Sequence, residues 1–332
     1  MRVLVTGGAG YIGSHVVRAL LQAGHETVVY DNLSTGHRQA VAAGVPFYEE
    51  DIRSTERLTE VLLAERIEAV IHFAASSLVG ESMQEPQEYY DNNIGGTLSL
   101  LSAMRQAHVE NLVFSSTAAV YGEPEDWPIL ESAVTCPTNV YGRTKLVIEG
   151  MLADFAAAYD LRYVSLRYFN AAGACENGEI GEDHGTETHL VPLILKTALG
   201  LRQAISIYGT DYETVDGTCI RDYIHVCDLA QAHVLALEHL GRGGESRIYN
   251  LGSEQGFSVR QVIETAKKVT QQEFTVEEAP RRAGDPAVLI ASSAKIRQEL
   301  DWQAQRSSLE MIVGDAWRWH KAHPKGYFKE KS

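Results

Sequence analysis

A tyrosine and a lysine four residues apart are the side chains in this sequence best suited to acid–base chemistry. They are Tyr141 and Lys145, in the run Tyr-Gly-Arg-Thr-Lys. On a helix, residues at i and i+4 share one face, so the ammonium group would lie near the phenol. A nearby positive charge favours the phenolate and lowers a tyrosine pKa from about 10. The pair therefore predicts a tyrosine that acts as a general base near neutral pH.

A hydroxyl side chain is the second candidate for this chemistry. The strand-like run Asn111–Ser115 is followed by Ser116 and Thr117. Such hydroxyls can simply satisfy neighbouring backbone groups. In the alternative, Thr117 hydrogen-bonds the phenol of Tyr141 and a substrate hydroxyl. The second interpretation requires Tyr141 to begin the next helix at the same edge of the sheet.

A glycine-rich turn near the N-terminus predicts a binding site for a dinucleotide. Residues 3–15 read V-L-V-T-G-G-A-G-Y-I-G-S-H, with Gly7, Gly10 and Gly13 between an apolar run and a helical pattern. A strand, a glycine turn and a helix N-terminus together bind pyrophosphate through free backbone N–H groups. The spacing G-x-x-G-x-x-G differs from the usual G-x-G-x-x-G, so the surrounding elements must support the assignment.

The residue that ends the second strand-like run indicates which dinucleotide binds. The run Thr27–Tyr30 is followed by Asp31. An acidic residue at this place hydrogen-bonds the adenosine ribose and repels a 2′-phosphate, which favours NAD over NADP. The alternative is an ordinary βαβ unit in which Asp31 is a solvated turn residue.

Strand-like and helical runs alternate through the first half of the chain. The expected strands are Val3–Thr6, Thr27–Tyr30, Pro46–Glu49, Ala69–Phe73, Asn111–Ser115 and Tyr163–Leu166. The expected helices are Ile12–Ala23, Thr55–Glu65, Tyr89–Gln106 and Tyr141–Ala158. This alternation predicts an α/β fold, a doubly wound parallel Rossmann sheet with helices on both faces. The loops that follow the strands then lie along one edge, where cofactors bind.

The alternation becomes irregular after Phe169, where loops rich in Gly, Glu and Asp follow, as in residues 173–185. We therefore expect an NAD-binding domain over residues 1–169 and a smaller mixed α/β substrate-binding lobe over residues 170–332. Within that lobe, residues 225–252 contain a helical run and a strand-like run that we expect to return to the main sheet. The cleft between the two parts is the expected active site.

Composition and charge exclude several classes of protein. The chain of 332 residues has a formal net charge of −15, which argues against a nucleic-acid partner. We expect no membrane association, because no apolar run approaches the roughly 20 residues that span a bilayer. The segment 2–6 reads as a buried strand and not as part of a signal peptide. Four cysteines without a C-x-x-C pair, and 12 histidines without an H-x-x-x-H pair, indicate a reduced, cytoplasmic protein without a metal site.

Longer motifs carry a resemblance to a known family over essentially the whole chain. They are G-G-A-G-Y-I-G-S-H at 7–15, D-N-L at 31–33, V-G-E-S at 79–82, Y-Y-D-N-N at 89–93, S-S-T-A-A-V-Y-G at 115–122, Y-G-R-T-K at 141–145, L-R-Y-F-N-A-A-G-A at 166–174, G-E-D-H at 181–184, R-D-Y-I-H-V at 221–226 and A-P-R-R-A-G-D at 279–285. In these the chain resembles the UDP-sugar 4-epimerases of the extended short-chain dehydrogenase/reductase family. The resemblance implies NAD-dependent interconversion of UDP-glucose and UDP-galactose through a 4-keto sugar. It also implies a homodimer formed through the helices expected at 89–106 and 141–158.

The same resemblance implies a set of site residues. Tyr141 would be the base, Lys145 its activator and Thr117 the supporting hydroxyl. The residues implied for NAD are Gly7, Gly10, Tyr11, Ile12, Gly13, Asp31, Asn32, Asp51, Ile52, Phe73, Ala74, Ala75, Asn92, Tyr141, Lys145 and Tyr168. Those implied for the UDP-sugar are Thr117, Tyr141, Asn170, His189, Leu190, Tyr208, Arg221, Arg282, Asp285 and Leu289.

Chemistry supports some of the substrate assignments and leaves an alternative open for others. In an acidic protein, Arg221 and Arg282 are suitable bidentate donors for a diphosphate, and Tyr208 is suited to stack on uracil. The alternative interpretation makes the two arginines surface partners of Asp222 and Asp285.

The chain departs from the family pattern at three positions. Ser77 stands where many relatives have a lysine that reaches the nicotinamide ribose, and His189 stands where an asparagine is common. Leu289 stands where some relatives have a tyrosine near the sugar. The smaller leucine leads to the hypothesis that UDP-N-acetylglucosamine and UDP-N-acetylgalactosamine are also substrates.

Other activities on the same fold are less consistent with the residues. A 4,6-dehydratase would need carboxylates after Thr117, where this chain has Ala-Ala-Val. A UDP-uronate 4-epimerase stays open, because it would use the same tyrosine and lysine. A non-catalytic NAD-sensing protein has no use for Tyr141, Lys145 and Thr117 together.

Overall fold

The computed structural model describes residues 1–282 and 285–327. Its strands are β1 Arg2–Thr6, β2 Glu26–Asp31, β3 Phe47–Glu49, β4 Ala69–His72, β5 Asn111–Ser115, β6 Arg162–Tyr168, β7 Asn170–Ala172, β8 Ala204–Tyr208, β9 Ile220–His225, β10 Arg247–Leu251, β11 Gly256–Ser258, β12 Thr275–Ala279 and β13 Val288–Leu289. Its α-helices are α1 Tyr11–Gln22, α2 Thr55–Ala64, α3 Val79–Ser82, α4 Pro86–Tyr89, α5 Gly96–Gln106, α6 Val140–Tyr159, α7 Leu190–Ala198, α8 Val226–Gly241, α9 Val259–Thr270, α10 Ala294–Leu300 and α11 Leu309–Ala322.

A seven-stranded sheet forms the centre of the molecule, in the order β10-β6-β5-β4-β1-β2-β3. Every pairing in this sheet is parallel. The predicted doubly wound parallel sheet is therefore confirmed. The strand order reverses between β1 and β4, and such a switch point is where ligands bind in open α/β sheets.

Both faces of the sheet are covered by helices, as strands buried on both sides require. Alternate residues of β1 point to opposite faces: Val3 and Val5 belong to one core cluster and Leu4 to the other. The first cluster includes Leu20 of α1 and Leu237 of α8. The second cluster includes apolar residues of α2, α5 and α6.

The strand and the helix within residues 225–252 belong to the main sheet and to the helices that cover it. Strand β10 pairs in parallel with β6 at the edge of the main sheet, from Arg247 opposite Val164 to Leu251 opposite Tyr168. Helix α8 contributes to the same apolar cluster as α1. The chain therefore returns to the main sheet after entering the smaller lobe.

The smaller lobe contains two short sheets and its own core. One sheet joins β11, β9 and β13, with β7 also on β9, and the other joins β12 and β8. Its core consists of apolar residues from α7, α9, α11 and these strands, including Leu195, Ile207 and Ile312. None of the helices in the described ranges has the length and apolar character to span a membrane.

The helix expected over residues 89–106 is divided into three parts, and the single-helix prediction was wrong here. Helix α4 ends at Tyr89, a π-helical segment covers Tyr90–Gly95, and α5 begins at Gly96. The buried Asn93 side chain lies in this segment. Its Nδ2 donates to the Ser76 carbonyl oxygen at 3.0 Å and to Thr144 Oγ1 at 3.1 Å. A π segment in a helix is frequent at functional sites, and here it brings an amide to the loop after β4.

Candidate active site

Most of the sequence-predicted cofactor residues lie at the carboxyl edge of the main sheet. The glycine turn follows β1, Asp31 ends β2, and Phe73 follows β4. The register places Thr6 of β1 opposite Tyr30 of β2 and His72 of β4, so these loops are adjacent. Parallel pairing is the reason, because it brings the ends of successive strands to one edge.

The glycine turn is packed so closely that side chains are excluded. A Cβ atom at Gly13 would lie 2.1 Å from the carbonyl oxygen of Gly7. Helix α1 therefore begins directly against the turn, and its first N–H groups are available to an anion. This cradle of backbone is suited to the pyrophosphate of a dinucleotide.

Asp31 is buried and belongs to the glycine turn itself. Its Oδ2 accepts from the Ala9 N–H at 2.9 Å and its Oδ1 accepts from the Leu33 N–H at 2.8 Å. Burial raises the pKa of Asp31, although both backbone N–H groups lower it. It is therefore not a solvated turn residue. Each carboxylate oxygen retains a further lone pair for a ribose hydroxyl.

The remaining cofactor candidates follow β3, lie in the π segment or end β6. Asp51 follows β3 and is ion-paired to Arg53 at 2.7 Å, while the neighbouring Ile52 is buried. Asn92 lies in the π segment, where its Nδ2 donates to Ser76 Oγ at 3.2 Å. Tyr168, at the end of β6, is buried and hydrogen-bonded to Ser115 Oγ. Ser77, at the departure from the family pattern, is exposed.

The start of α6 places Tyr141 beside Thr117. Asn139 caps the helix, and its Oδ1 accepts from the Gly142 N–H at 2.8 Å. A Cβ at Gly142 would lie 2.6 Å from the Ala119 carbonyl oxygen, so only glycine permits this approach to the turn after β5. The hydroxyl of Thr117 is within hydrogen-bonding reach of the Tyr141 phenol. This neighbourhood is what the interpretation of Thr117 as a partner of the phenol requires.

The pKa of Tyr141 differs in direction from the sequence-based expectation. Burial raises the pKa of the phenol, and the hydrogen bond from Thr117 lowers it. The Nζ of Lys145 lies 5.9 Å from the centroid of the tyrosine ring. Burial therefore determines the direction of the tyrosine pKa here, and the lowering expected from Lys145 stays a prediction.

The amino group of Lys145 is buried against strand β5. Its Nζ donates to the carbonyl oxygen of Ser115 at 2.9 Å and lies 4.9 Å from the ring centroid of Phe114. Burial lowers the pKa of Lys145 to about 7, while the charge of Glu149 opposes this change. The lysine thus lies on the same helix face as Tyr141, as the spacing predicts, but at the depth of strand β5.

A buried ion pair behind Lys145 was missed by the sequence analysis. Glu149 and Arg167 each expose 5% of their surface. Arg167 Nε donates to Glu149 Oε1 at 2.9 Å, and its Nη1 donates to the Tyr121 hydroxyl at 2.8 Å. Ser116 Oγ also donates to Glu149 Oε1, at 2.6 Å. Glu149 lies four residues after Lys145, a continuation of the Tyr-to-Lys spacing that was available as a signal.

The arginines of the smaller lobe differ in their surroundings. Arg221 of β9 is ion-paired to Asp285, as one alternative supposed. Asp222 does not pair with either arginine, since it is buried and accepts from the Ser253 N–H at 2.8 Å. The guanidinium of Arg282 lies 4.0 Å from the ring centroid of Tyr208. Tyr208 and Arg282 thus form one exposed pair at the end of β8.

The other substrate candidates lie in the smaller lobe, where one of them, Leu289, also contacts the first part of the chain. Asn170 Nδ2 donates to the carbonyl oxygen of Asp222 at 3.0 Å. Leu289 lies opposite Arg221 in the β13–β9 register and packs against the apolar cluster that contains Ala118, next to Thr117. Leu190 begins α7, and its side chain packs on the core of the smaller lobe.

His189, immediately before α7, is surrounded by carboxylates. Its Nδ1 lies 2.6 Å from Glu182 Oε1 and 3.6 Å from Glu187 Oε1. Burial lowers the pKa of His189, but the two carboxylates outweigh this effect and hold it at about 9. His189, which stands where an asparagine is common in the family, therefore favours its protonated form. It directly precedes Leu190, the first residue of α7 and a predicted substrate residue.

Direct contacts join the cofactor loop, which is the glycine turn after β1 with the start of α1, to the smaller lobe. The hydroxyl of Tyr11, the first residue of α1, donates to the carbonyl oxygen of Gly173 at 2.7 Å. Its ring also lies edge-on to His184, with centroids 6.4 Å apart. The loop after β1 and the smaller lobe are therefore in direct contact.

Comparisons with known proteins assign the chain to a family. The NAD dependent epimerase/dehydratase family matches residues 3–252. The chain belongs to this family. The UDP-glucose 4-epimerase of Halalkalibacterium halodurans is 56% identical over 330 residues, which are 99% of this chain and 98% of that protein.

Two solved structures extend the comparison to three dimensions. The UDP-glucose 4-epimerase of Brucella ovis in complex with NAD has a TM-score of 0.93 and 50% identity, covering 95% of this chain and 97% of that one. The UDP-Glc/GlcNAc 4-epimerase of Campylobacter jejuni has a TM-score of 0.85 and 43% identity, covering 97% of this chain and 99% of that one. The cofactor of the present family member is NAD, for which the glycine cradle and Asp31 provide suitable groups.

Proposed function

We propose that this protein interconverts UDP-glucose and UDP-galactose by NAD-dependent 4-epimerisation. The single observation that carries the proposal is the placement of Thr117, Tyr141 and Lys145 at the sheet edge beside the glycine cradle. The likeness to UDP-glucose 4-epimerases over nearly the full chain supports the substrate. In this assignment the domain formed by residues 1–169, together with β10 and α8, binds NAD. The lobe formed by most of residues 170–332 binds the UDP-sugar.

Each residue of the constellation has a distinct role in the proposed reaction. Tyr141 takes the proton of the C4 hydroxyl and later returns one to the C4 oxygen on the other face of the sugar. Thr117 orients the phenol and the sugar hydroxyl by hydrogen bonds. Lys145 supplies a positive charge below the phenol. When bound, NAD⁺ accepts the hydride of C4, gives it back to the opposite face, and adds a positive charge near the phenol.

The direct test of this function is product analysis without a reductant. Purified protein is incubated with UDP-galactose, and the sugar is identified after hydrolysis of the nucleotide. We expect UDP-glucose to form with no net consumption of NAD, because the hydride returns in every cycle. Formation of a 4-keto-6-deoxy sugar, or no conversion at all, would contradict the proposal. UDP-glucuronate in a parallel reaction tests the uronate alternative.

The choice of NAD over NADP depends on Asp31 in this proposal. We expect Asp31→Ala to weaken NAD binding by about 1.5–3 kcal/mol, since a carboxylate acceptor is lost from the ribose and from the glycine turn. NADP⁺ added to stripped wild-type protein is expected to restore no activity. Isothermal titration with each dinucleotide measures both. The control is Asp31→Asn, which keeps an acceptor oxygen and removes the charge. Equal binding of NADP⁺ by wild type would show that Asp31 does not select the cofactor.

The diphosphate is proposed to bind between Arg221 and Arg282. We expect Arg221→Ala and Arg282→Ala each to weaken UDP binding by about 1–3 kcal/mol, the range for a lost charge-assisted hydrogen bond. Calorimetry with UDP alone measures the change. Arg281→Ala is the matched control, because Arg281 is ion-paired to Asp211 at 2.7 Å and is not assigned to the substrate. Unchanged affinity in both test variants would place the diphosphate elsewhere.

A wider sugar specificity is proposed from Leu289. Its side chain packs against the cluster next to Thr117, where a tyrosine would add a ring on the sugar side. We expect wild type to interconvert UDP-N-acetylglucosamine and UDP-N-acetylgalactosamine, and we expect Leu289→Tyr to lose this activity while it retains UDP-galactose epimerisation. Leu289→Met, of similar volume, is the control. The absence of N-acetylhexosamine turnover in wild type would contradict the proposal. Full retention by Leu289→Tyr would assign the pocket width to another residue.

A homodimer formed through α5 and α6 is proposed from exposed apolar side chains on these helices. Leu98 of α5 is 47% exposed and Val147 of α6 is 41% exposed. Burial of such side chains in a second copy removes apolar surface from water. Sedimentation of wild type against a Leu98→Glu/Val147→Glu variant tests the assembly.

A cytoplasmic location is proposed as well, supported by four cysteines that are all free.

A further inference from the structure

Four side chains, one of them the predicted substrate residue His189, form a compact cluster between the start of α1 and α7. Glu182, His184, Glu187 and His189 each offer one ligand atom, and these atoms lie within 4.8 Å of one another. The spacing E-x-H-x-x-E-x-H contains neither H-x-x-x-H nor C-x-x-C. The sequence-based expectation of no metal site depended on the absence of those two patterns, and it did not test mixed spacings of glutamate and histidine.

The two separations that involve His184 are close to those between ligands of a tetrahedral ion. His184 Nδ1 lies 3.5 Å from Glu182 Oε1 and 3.4 Å from Glu187 Oε2. Ligands at 2.0–2.1 Å from a tetrahedral Zn²⁺ ion are about 3.3 Å apart. The shorter distance of 2.6 Å between His189 Nδ1 and Glu182 Oε1 is a hydrogen bond that an ion would replace.

One carboxylate oxygen in the cluster lacks a hydrogen bond, which is an independent indication of a ligand. The Glu187 side chain is only 5% exposed. Its Oε1 accepts from the N–H groups of Thr188 and His189, both at 2.9 Å. Its Oε2 is buried without a hydrogen-bond partner and faces His184. Buried carboxylate oxygens are normally satisfied, and an exception requires an explanation such as an ion.

We propose that Glu182, His184, Glu187 and His189 bind one divalent transition-metal ion, with Zn²⁺ as the preferred ion. Two imidazole nitrogens and two carboxylate oxygens are a donor set typical of this class of ion. Binding releases the proton shared by His189 and Glu182 to solvent. The ion enters from the side of His189, whose side chain is 51% exposed.

The proposed ion has a structural role and takes part in no step of the reaction. Four protein ligands leave no open position on a tetrahedral ion, as in structural zinc sites. The site connects Tyr11 of α1, through the edge-on ring of His184, with the first turn of α7. The ion therefore fastens the segment 182–189 between the cofactor loop and the proposed substrate helix. This inference is independent of which sugar is the substrate.

The test is metal binding by the untagged, NAD-loaded protein, which is first stripped of metal with a chelator, then loaded with Zn²⁺ or Co²⁺ and freed of unbound metal. We expect one Zn²⁺ per chain by elemental analysis, and we expect Co²⁺ to give the intense visible absorption of a tetrahedral site. His184→Ala and Glu187→Gln are each expected to lower Co²⁺ affinity at least about a hundredfold, more than the loss of an outer-shell partner. Glu310→Gln, an exposed carboxylate at the start of α11, is the matched control.

The outcomes are read from stoichiometry and spectra and not from activity. The proposal is overturned if wild type holds no Zn²⁺ after reloading and gives no Co²⁺ bands, since the cluster is then an ion-pair network only. It is also overturned if both variants bind Co²⁺ as tightly as wild type, because the ion then lies elsewhere. Epimerase activity without metal binding would leave the proposed function intact and reject this inference.

Discussion

Tyr141→Phe is expected to lower epimerase turnover at least about a hundredfold while NAD stays bound. The substitution removes the only atom of the side chain that can accept the C4 proton, and it leaves the ring in place. Thr117 keeps a partner, because its Oγ1 accepts from the Ala119 N–H at 3.1 Å. Initial rates with saturating UDP-galactose, and the dinucleotide content of the purified variant, measure the two quantities.

Tyr159→Phe is the matched control for this prediction. Tyr159 ends the same helix α6, is 50% exposed and lies far along the helix from the site. We expect its turnover to equal that of wild type. If Tyr141→Phe also retained turnover within a few-fold of wild type, Tyr141 would not be the general base, and another group would have to take the proton.

Glu149→Gln is expected to reduce the free energy of unfolding by about 3–5 kcal/mol. The amide leaves the buried guanidinium of Arg167 without its counter-charge, and an uncompensated buried cation is strongly destabilising. Loss of the Glu149 charge also removes the electrostatic effect that raises the pKa of Lys145, which burial already lowers to about 7. The lysine therefore carries less positive charge at neutral pH in the variant. Urea unfolding gives the stability, and the pH dependence of turnover reports the lysine.

Two comparisons separate this effect from a general sensitivity to substitution. Asp211→Asn breaks the exposed ion pair with Arg281 and is expected to change stability by less than about 1 kcal/mol. The double variant Glu149→Leu/Arg167→Met replaces the pair with apolar side chains and is expected to recover most of the lost stability. Glu149→Gln and Asp211→Asn with equal, small effects would contradict the assignment of a buried charge pair.

Patterns within short segments were sufficient to predict the main features of the fold. The alternation of runs predicted the parallel sheet, and the observed strands differ from the expected ones by at most two residues at an end, as for Tyr163–Leu166 and the observed Arg162–Tyr168. The glycine spacing and Asp31 predicted the cradle at the sheet edge. The exception was the expected helix at 89–106, because the π segment depends on contacts of Asn93 with Ser76 and Thr144, which are distant in sequence.

Much of the candidate site was identified from residue types, and its electrostatics were not. The spacing of Tyr141 and Lys145 predicted a shared helix face, which depends only on helix geometry. It did not predict that burial would raise the pKa of the tyrosine and lower that of the lysine. Burial depends on what α6 packs against, namely the strand β5 and the ion pair of Glu149 and Arg167.

The sequence by itself determined the local elements of this protein: the strand–glycine–helix turn, the acidic residue after β2, the Tyr-x-x-x-Lys face and the family to which the motifs belong. These features depend on residues near one another along the chain, where periodicity and backbone sterics act. Only the tertiary structure decided which distant groups share an environment. It paired Arg221 with Asp285, buried Asp222 in contacts with Ser253, and joined Glu149 to Ser116 behind Lys145. Charges and hydrogen bonds act over a few ångströms in space, so their consequences follow from the packing of the lobes and not from the order of the residues.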